Sequence, residues 1–157
     1  MKRLPEHGSC FVCGAENPKG IGLRWYADDE GVIHADVTLT LAEQGPPGYA
    51  HGGASAAILD EAMGSAVWNA GYQVLAVNLN INYRRPLPLN TPVKITARVV
   101  EENGRKVSTR SELRLPNGEI AVEGTGLYVE ANHIFADSSV VFTTNFGQAQ
   151  PENPKVI

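Results

Sequence analysis

The sequence predicts an α+β fold in which an antiparallel sheet wraps around one long, buried helix. Three observations carry that prediction. Residues 53–69 are mostly Ala, Gly, Ile, Leu, Met, Val and Trp, interrupted by the adjacent acids Asp60 and Glu61. A helix that is apolar nearly all round has no solvated face, so it must be covered. Beyond Gly71 the apolar period drops from helical to two, the signature of strands. Two Asn-Gly turns, at 103–104 and 117–118, then separate the following runs as antiparallel hairpins.

The totals fit one such domain. A chain of 157 residues can bury roughly 70% of its unfolded surface and needs no staples. Hydrophobic content of 43%, charged content of 19% and a formal charge of −4 argue against a nucleic-acid surface. The expected partner is a small molecule, not nucleic acid or a membrane. Met1–His7 lacks the apolar run of a signal peptide, and no run reaches about 18 apolar residues. A cytoplasmic location is the expectation.

Taken in order, residues 1–20 carry Pro5, Gly8, Gly14, Asn17-Pro18 and Gly20 and read as a lead-in loop. Within it, Cys10-Phe11-Val12-Cys13 supplies two thiols. A zinc site needs four ligands; His7 offers a third, and His34 or His133 could arrive only through the fold. No strand-to-helix pattern of a redox motif surrounds the pair. Reduced structural thiols, with no metal and no cofactor, are the expectation.

The main domain is expected over 21–130. Leu23–Tyr26 and Val32–Leu39 read as strands joined by the turn residues Asp28–Gly31. His34 falls on the polar face of the second, a solvated position. Glu43–Ala50, with two Gly and two Pro, breaks regular structure. The helix follows from about Gly53 to Asn69, with Gly71 as its terminator. Val77, Leu79, Ile81 and Tyr83 then alternate with Ala76, Asn78, Asn80 and Asn82, a long strand with an amide-rich face. Val93–Val100, Arg105–Leu115 and Glu119–Val129 complete the sheet. Residues 131–157 are expected as an arm or tail, with a weak apolar stretch at Val140–Phe142.

Chemistry centres on the two parts of the helix. Its first N–H groups lack intrahelical partners and carry the positive end of the dipole, so Gly52 and Gly53 can present donors to an oxygen that becomes negative. A tight turn that needs glycine for its dihedrals explains the same residues. Asp60 is the candidate base, or else a buried acid paired in a subunit interface. Nine residues separate His51 from Asp60, roughly 13 Å along a helix axis, too far to serve one carbonyl. If both ends act together, the acid must come from a second subunit across a two-fold axis. Glu61 is rotated about 100° from Asp60, so one acid is expected to face a given cleft.

The run Gly45-Pro-Pro-Gly-Tyr-Ala-His-Gly-Gly53, then Leu59-Asp-Glu-Ala62, then Val77-Asn-Leu-Asn-Ile-Asn-Tyr-Arg-Arg-Pro86 resembles the hotdog-fold acyl-CoA thioesterases, in particular the phenylacetate-pathway enzymes and the mammalian thioesterase-superfamily members. The resemblance implies a homodimer or a dimer of dimers. It implies that the Gly52 N–H polarises the thioester carbonyl and that Asp60 activates water or attacks directly, the two coming from opposite subunits. His51 takes a structural or positioning role, with Gly53 beside it.

Two positions depart from that pattern. Where the family often carries a Ser or Thr hydroxyl on the long strand, this chain has Ala76. Asn78, two residues on, is expected on the same face and could hold the water instead. The polar residue often found six positions before the histidine is Gly45, with Gln44 next to it. Arg84 and Arg85 are the nearest clustered cations for the phosphates of coenzyme A, although alternation on a strand lets at most one face the ligand. Alternatives are a non-catalytic acyl-CoA-binding module and a hotdog enoyl-CoA hydratase pairing a histidine with the acid.

Overall fold

The computed structural model describes residues 1–136. The expected tail therefore lies mostly outside the described residues, Val140–Phe142 included. Seven strands and one long helix make up the domain: β1 Lys2–Arg3, β2 Tyr26–Ala27, β3 Ile33–Thr38, α1 Gly52–Asn69, β4 Val74–Tyr83, β5 Pro92–Asn103, β6 Lys106–Arg114 and β7 Ile120–Glu130. A short 3-10 turn, Leu41–Glu43, precedes α1, and a one-turn helix, α2, spans Asn132–Phe135. The strands form a single antiparallel sheet in the order β1-β2-β3-β5-β6-β7-β4. The helix packs across β3 to β7 on one face of it. This is the α+β arrangement the sequence predicts, a sheet wrapped around one helix.

The helix is held there by apolar burial. Ile58, Leu59, Ala62, Met63, Ala66 and Val67 are essentially inaccessible and meet Ile33, Val93, Ile95, Val107, Leu113 and Val122 from the sheet. Each fully buried Leu, Ile or Val contributes about 1.5–3 kcal/mol. The helix ends as its glycine requires. Gly71 has φ of +99°, and Tyr72 N–H reaches Val67 O while Gly71 N–H reaches Trp68 O, a Schellman closure.

Three details differ from expectation. The first strand is shorter than Leu23–Tyr26, because its pairing starts at Tyr26. The lead-in carries a strand and core residues that its punctuation did not announce: Lys2 and Arg3 pair with Ala27 and Tyr26, and Val12 and Cys13 are buried in the core with Leu23 and Trp25. A segment rich in Gly and Pro conceals such anchoring, since two apolar side chains give no periodicity. Lastly, β4 carries a bulge. Ala76 pairs with Tyr128 but Asn78 pairs with Leu127, leaving Val77 as the extra residue.

The bulge changes the faces of β4. Cross-strand partners share a face, and on β7 the buried residues beside Ala121 are Val122, Gly124, Gly126 and Tyr128, which alternate along the strand. Ala76, Leu79, Ile81 and Tyr83 therefore face the helix, while Asn78, Asn80 and Asn82 face away. Asn82 donates to the Asn80 side chain at 2.9 Å on that outer face. The expectation that Asn78 shares a face with Ala76 is corrected: two residues on is the same face only where no residue is inserted. Among the described residues no helix is long and apolar enough to cross a membrane.

Candidate active site

His51 sets the start of α1. Its backbone is extended, and its ring Nδ1 accepts the Gly53 N–H at 2.8 Å as a side-chain cap. The Ala54 and Ser55 N–H groups turn to His51 O. Gly52 is thus the first-turn residue whose N–H has no acceptor among the described residues, and Gly53 is not available as a second donor. The Gly52 carbonyl accepts from the Tyr83 hydroxyl at 2.7 Å. A Cβ on Gly52 would lie 3.2 Å from that hydroxyl, so the absence of a side chain keeps this spot open.

The Gly52 end opens on a cavity of about 550 Å³ lined by Pro46, Tyr49, Tyr83, Arg84, Arg85 and Leu87 among others. Both arginines border it, contrary to the expectation of one. Alternation stops with β4 at Tyr83, and the Arg84 and Arg85 N–H groups both bond Ala121 O. Their guanidinium groups are already engaged, Arg84 with Glu123 at 2.6 Å and Arg85 with Glu119 at 3.4 Å. Gln44 lies elsewhere, lining a separate cavity with His51 and Gly53. Its side-chain oxygen accepts the Gly48 N–H at 2.9 Å, which ties it to its own loop.

Asp60 sits two turns along the helix, in a second cavity of about 260 Å³ bordered by His7, Glu61, Trp68, Ala76 and Tyr128. The two cavities have no lining residue in common. Gly52 and Asp60 of one chain therefore address different spaces, in keeping with the axial separation. Glu61 borders the same cavity as Asp60, which corrects the expectation that only one acid faces a cleft. The space spans a stripe of the helix from Asp60 to Trp68, wider than the 100° between neighbours.

Tyr128 is the residue the sequence reading missed. It is 3% exposed and donates its hydroxyl to Asp60 Oδ1 at 2.7 Å and to Asp60 O at 2.9 Å. Burial, then the Asp60 carboxylate, push its phenol well above the ordinary range, so it remains a donor. It stands directly opposite Ala76 on the same face. A hydroxyl is therefore present where the long strand lacks one, supplied from the neighbouring strand. The available signal was the alternation of Gly124, Gly126 and Tyr128 along the inward face of β7.

Behind Asp60, the lead-in meets the helix. Cys13 donates its thiol to Glu61 Oε1 at 3.1 Å, and His7 Nδ1 lies 3.4 Å from the same oxygen. Burial, then the charge of Cys10, raise the Glu61 carboxyl. Hydrogen bonding from Cys13, then from His7, lowers the Cys10 thiol, and the same bond with burial raises Cys13. His34 is distant from this cluster in role: its Nε2 pairs with Asp28 at 2.8 Å across the first hairpin.

Comparison with known proteins matches residues 47–122 to the thioesterase superfamily. An acyl-coenzyme A thioesterase THEM4 of Bos taurus is 39% identical over 88 residues, covering 55% of this chain and 36% of that protein. The chain thus spans little more than a third of the length of that relative. A crystallised thioesterase superfamily protein, RHA08564, is similar with a TM-score of 0.74 and 35% identity, over 76% of this chain and 62% of the other. The smu.793 protein of Streptococcus mutans, crystallised bound to acetyl CoA, has a TM-score of 0.66 at 16% identity, over 69% of this chain and 88% of its own.

Proposed function

We propose that the chain, which matches the thioesterase superfamily over residues 47–122 and resembles a solved member of it in fold, is a hotdog-fold enzyme that hydrolyses acyl-CoA thioesters at sites shared between two subunits. The observation that carries the reading is the separation of a bare helix-start N–H at Gly52 from a held carboxylate at Asp60, in cavities that do not meet within one chain. A two-fold axis that lays two copies of α1 antiparallel brings the Gly52 of one to the Asp60 of the other.

The sheet supplies a surface for that pairing. β4 is bonded to β7 on one side, and its other edge is unpaired among the described residues. Val77 is 58% exposed and Leu79 38%. A long unpaired edge is a template for a second strand, and joining two β4 edges continues the sheet through a homodimer acting in the cytoplasm.

In the reaction, the thioester carbonyl oxygen accepts the Gly52 N–H at the positive end of α1. Asp60 of the other subunit takes a proton from water as the water oxygen attacks the carbonyl carbon. The oxyanion that forms is held by the Gly52 donor. Collapse breaks the carbon–sulfur bond, and the proton on Asp60 goes to the departing thiolate, giving a carboxylic acid and CoA thiol. Direct attack by Asp60 through an anhydride uses the same two groups. Tyr128 holds the carboxylate by the oxygen it bonds and leaves the other oxygen for the water. Arg84 and Arg85 face the phosphates at the Gly52 cavity.

The test is thiol release from a panel of acyl-CoAs by the wild type and Asp60→Asn, with a mixing experiment. Gly52→Ala and Asp60→Asn chains, each expected to keep under about a tenth of the activity alone, are refolded together. Mixed dimers then contain one intact site, and roughly a quarter of wild-type activity returns. Undiminished hydrolysis by folded Asp60→Asn, or no recovery on mixing, refutes the shared site. Binding without turnover by the wild type points to the acyl-CoA-binding module instead.

A further inference from the structure

His7, Cys10, Cys13 and Glu61 offer four ligand atoms that all lie within 4.8 Å of one another. Three come from the lead-in segment. The fourth comes from the middle of α1, 48 residues from Cys13, which is why the sequence showed only two or three ligands and favoured plain thiols.

A tetrahedral zinc ion with bonds of about 2.0–2.3 Å keeps its ligand atoms about 3.3–3.8 Å apart. Glu61 Oε1 already stands 3.1 Å from Cys13 Sγ and 3.4 Å from His7 Nδ1. Small side-chain rotations close the remaining gaps. Two thiolates and an imidazole select a zinc-type ion over magnesium or calcium. Cys13 is buried and the other three half-buried, so the group is no loose surface cluster.

The backbone is shaped for the sulfurs. Val12 N–H points to Cys10 Sγ at 3.4 Å, and Gly14 N–H bonds Cys10 O at 3.0 Å. A Cβ on Gly14 would fall 2.3 Å from Cys10 N, so only glycine lets the chain close this tightly behind the pair. Cys10 N–H bonds His7 O at 2.7 Å, which brings the imidazole round to the thiols. Arg24 donates to Cys13 O at 3.2 Å and pairs with Glu6 at 3.0 Å, an outer layer fixing the loop.

We infer that His7, Cys10, Cys13 and Glu61 bind a zinc-type divalent cation as a closed, four-ligand site that clasps the lead-in segment to the middle of α1. Binding releases the thiol protons of Cys10 and Cys13 to solvent, takes His7 as its neutral ring, and replaces the Cys13–Glu61 hydrogen bond with two bonds to one ion. Two thiolates and a carboxylate against the ion leave one net negative charge. With all four positions filled by protein, the ion has a structural role and does not activate water. Its placement one residue from Asp60 makes it a clamp on the helix turn that carries the acid.

The experiment is a cobalt titration of the full chain, reduced and stripped with a chelator, followed by zinc competition and thermal melts. One equivalent of Co²⁺ is expected to give a near-ultraviolet thiolate-to-cobalt band with the intense visible bands of a four-coordinate ion, all displaced by Zn²⁺. Zinc is expected to raise Tm. Cys10→Ala should lower affinity by more than the roughly 10–100-fold that loss of an outer-layer partner costs, and Glu61→Gln should keep the thiolate band while weakening binding. If Cys13→Ala does not fold, the wild-type titration decides. A folded, reduced wild type that shows no band with excess Co²⁺, or a spectrum unchanged in Cys10→Ala, overturns the site. The readout is metal binding, so its failure leaves the hydrolase reading standing.

Discussion

Tyr128→Phe removes one oxygen from a site that is otherwise left filled. The ring is buried and keeps its packing, so no cavity opens, and the loss is confined to the bonds at 2.7 and 2.9 Å to Asp60. A hydrogen bond to a charged acceptor contributes about 1.5–3 kcal/mol. For a domain of this size that lowers Tm by about 3–12 °C, at 2–4 °C per kcal/mol. If the bond serves to aim the carboxylate at water, up to the same energy is lost from the transition state, and kcat falls by about 10- to 150-fold.

A purely structural tyrosine predicts the Tm shift without the kinetic one. The assay is steady-state thiol release, with KM expected to hold because Tyr128 does not border the Gly52 cavity. In an Asp60→Asn background, Tyr128→Phe should cost no further activity, since the group it aims is already gone. Ala76→Ser, which places a hydroxyl on the opposite strand of the same cavity, should change wild-type kcat little yet recover part of the Tyr128→Phe loss. A folded Tyr128→Phe enzyme with kcat within about twofold of wild type, well under the tenfold that 1.4 kcal/mol would give, would refute the positioning role.

Gly52→Ala should change stability by no more than about 1 kcal/mol, the scale of the Gly-to-Ala helix propensity difference. It should still lower kcat/KM more than about tenfold, because the methyl crowds Tyr83 and covers the donor. Arg84→Ala should raise KM for acyl-CoA and leave it unchanged for a thioester without phosphates; equal KM effects on both substrates rule out phosphate contact. Its ion pair with Glu123 is exposed, and losing it should cost under about 1 kcal/mol by urea melts. Below pH 3.8 the first hairpin should weaken. His34 at 2.8 Å, with the Val32 and Glu30 N–H groups, holds the Asp28 carboxyl below its ordinary 3.8. Its contribution is present above that value and disappears as pH falls through the lowered one. Asp28→Asn should flatten the acid limb of a stability–pH curve, and an unchanged limb excludes the pair as a source.

The helix and the order of strands were legible because residues 53–69 have no polar face and because Asn103-Gly104 and Asn117-Gly118 admit little but hairpins. Gly52 and Asp60 were legible for the same reason, as an open helix start and an acid in an apolar run. What escaped lies in contacts distant along the chain. Tyr128 meets Asp60 across 68 residues, and Glu61 meets Cys13 across 48, with nothing in local spacing to announce either. Asn78 was misassigned for another reason: period-two counting assumes that no residue is inserted, and the insertion at Val77 is fixed by pairing with β7. Gln44 was near the right loop but its oxygen is occupied by Gly48.

The extra residue in β4 also sets what this strand can tolerate. Val77 is largely exposed and meets no ordered partner across the ladder, so its side chain is open to exchange. Deleting Val77 would close the bulge with Ala76 still opposite Tyr128 and Asn78 still opposite Leu127, so the apolar and the amide faces would both survive. What the strand would lose is the bend and the extra twist that a bulge supplies, at the point where Ala76 borders the Asp60 cavity. The insertion shapes a wall of that cavity and leaves the pattern of the strand beyond it untouched.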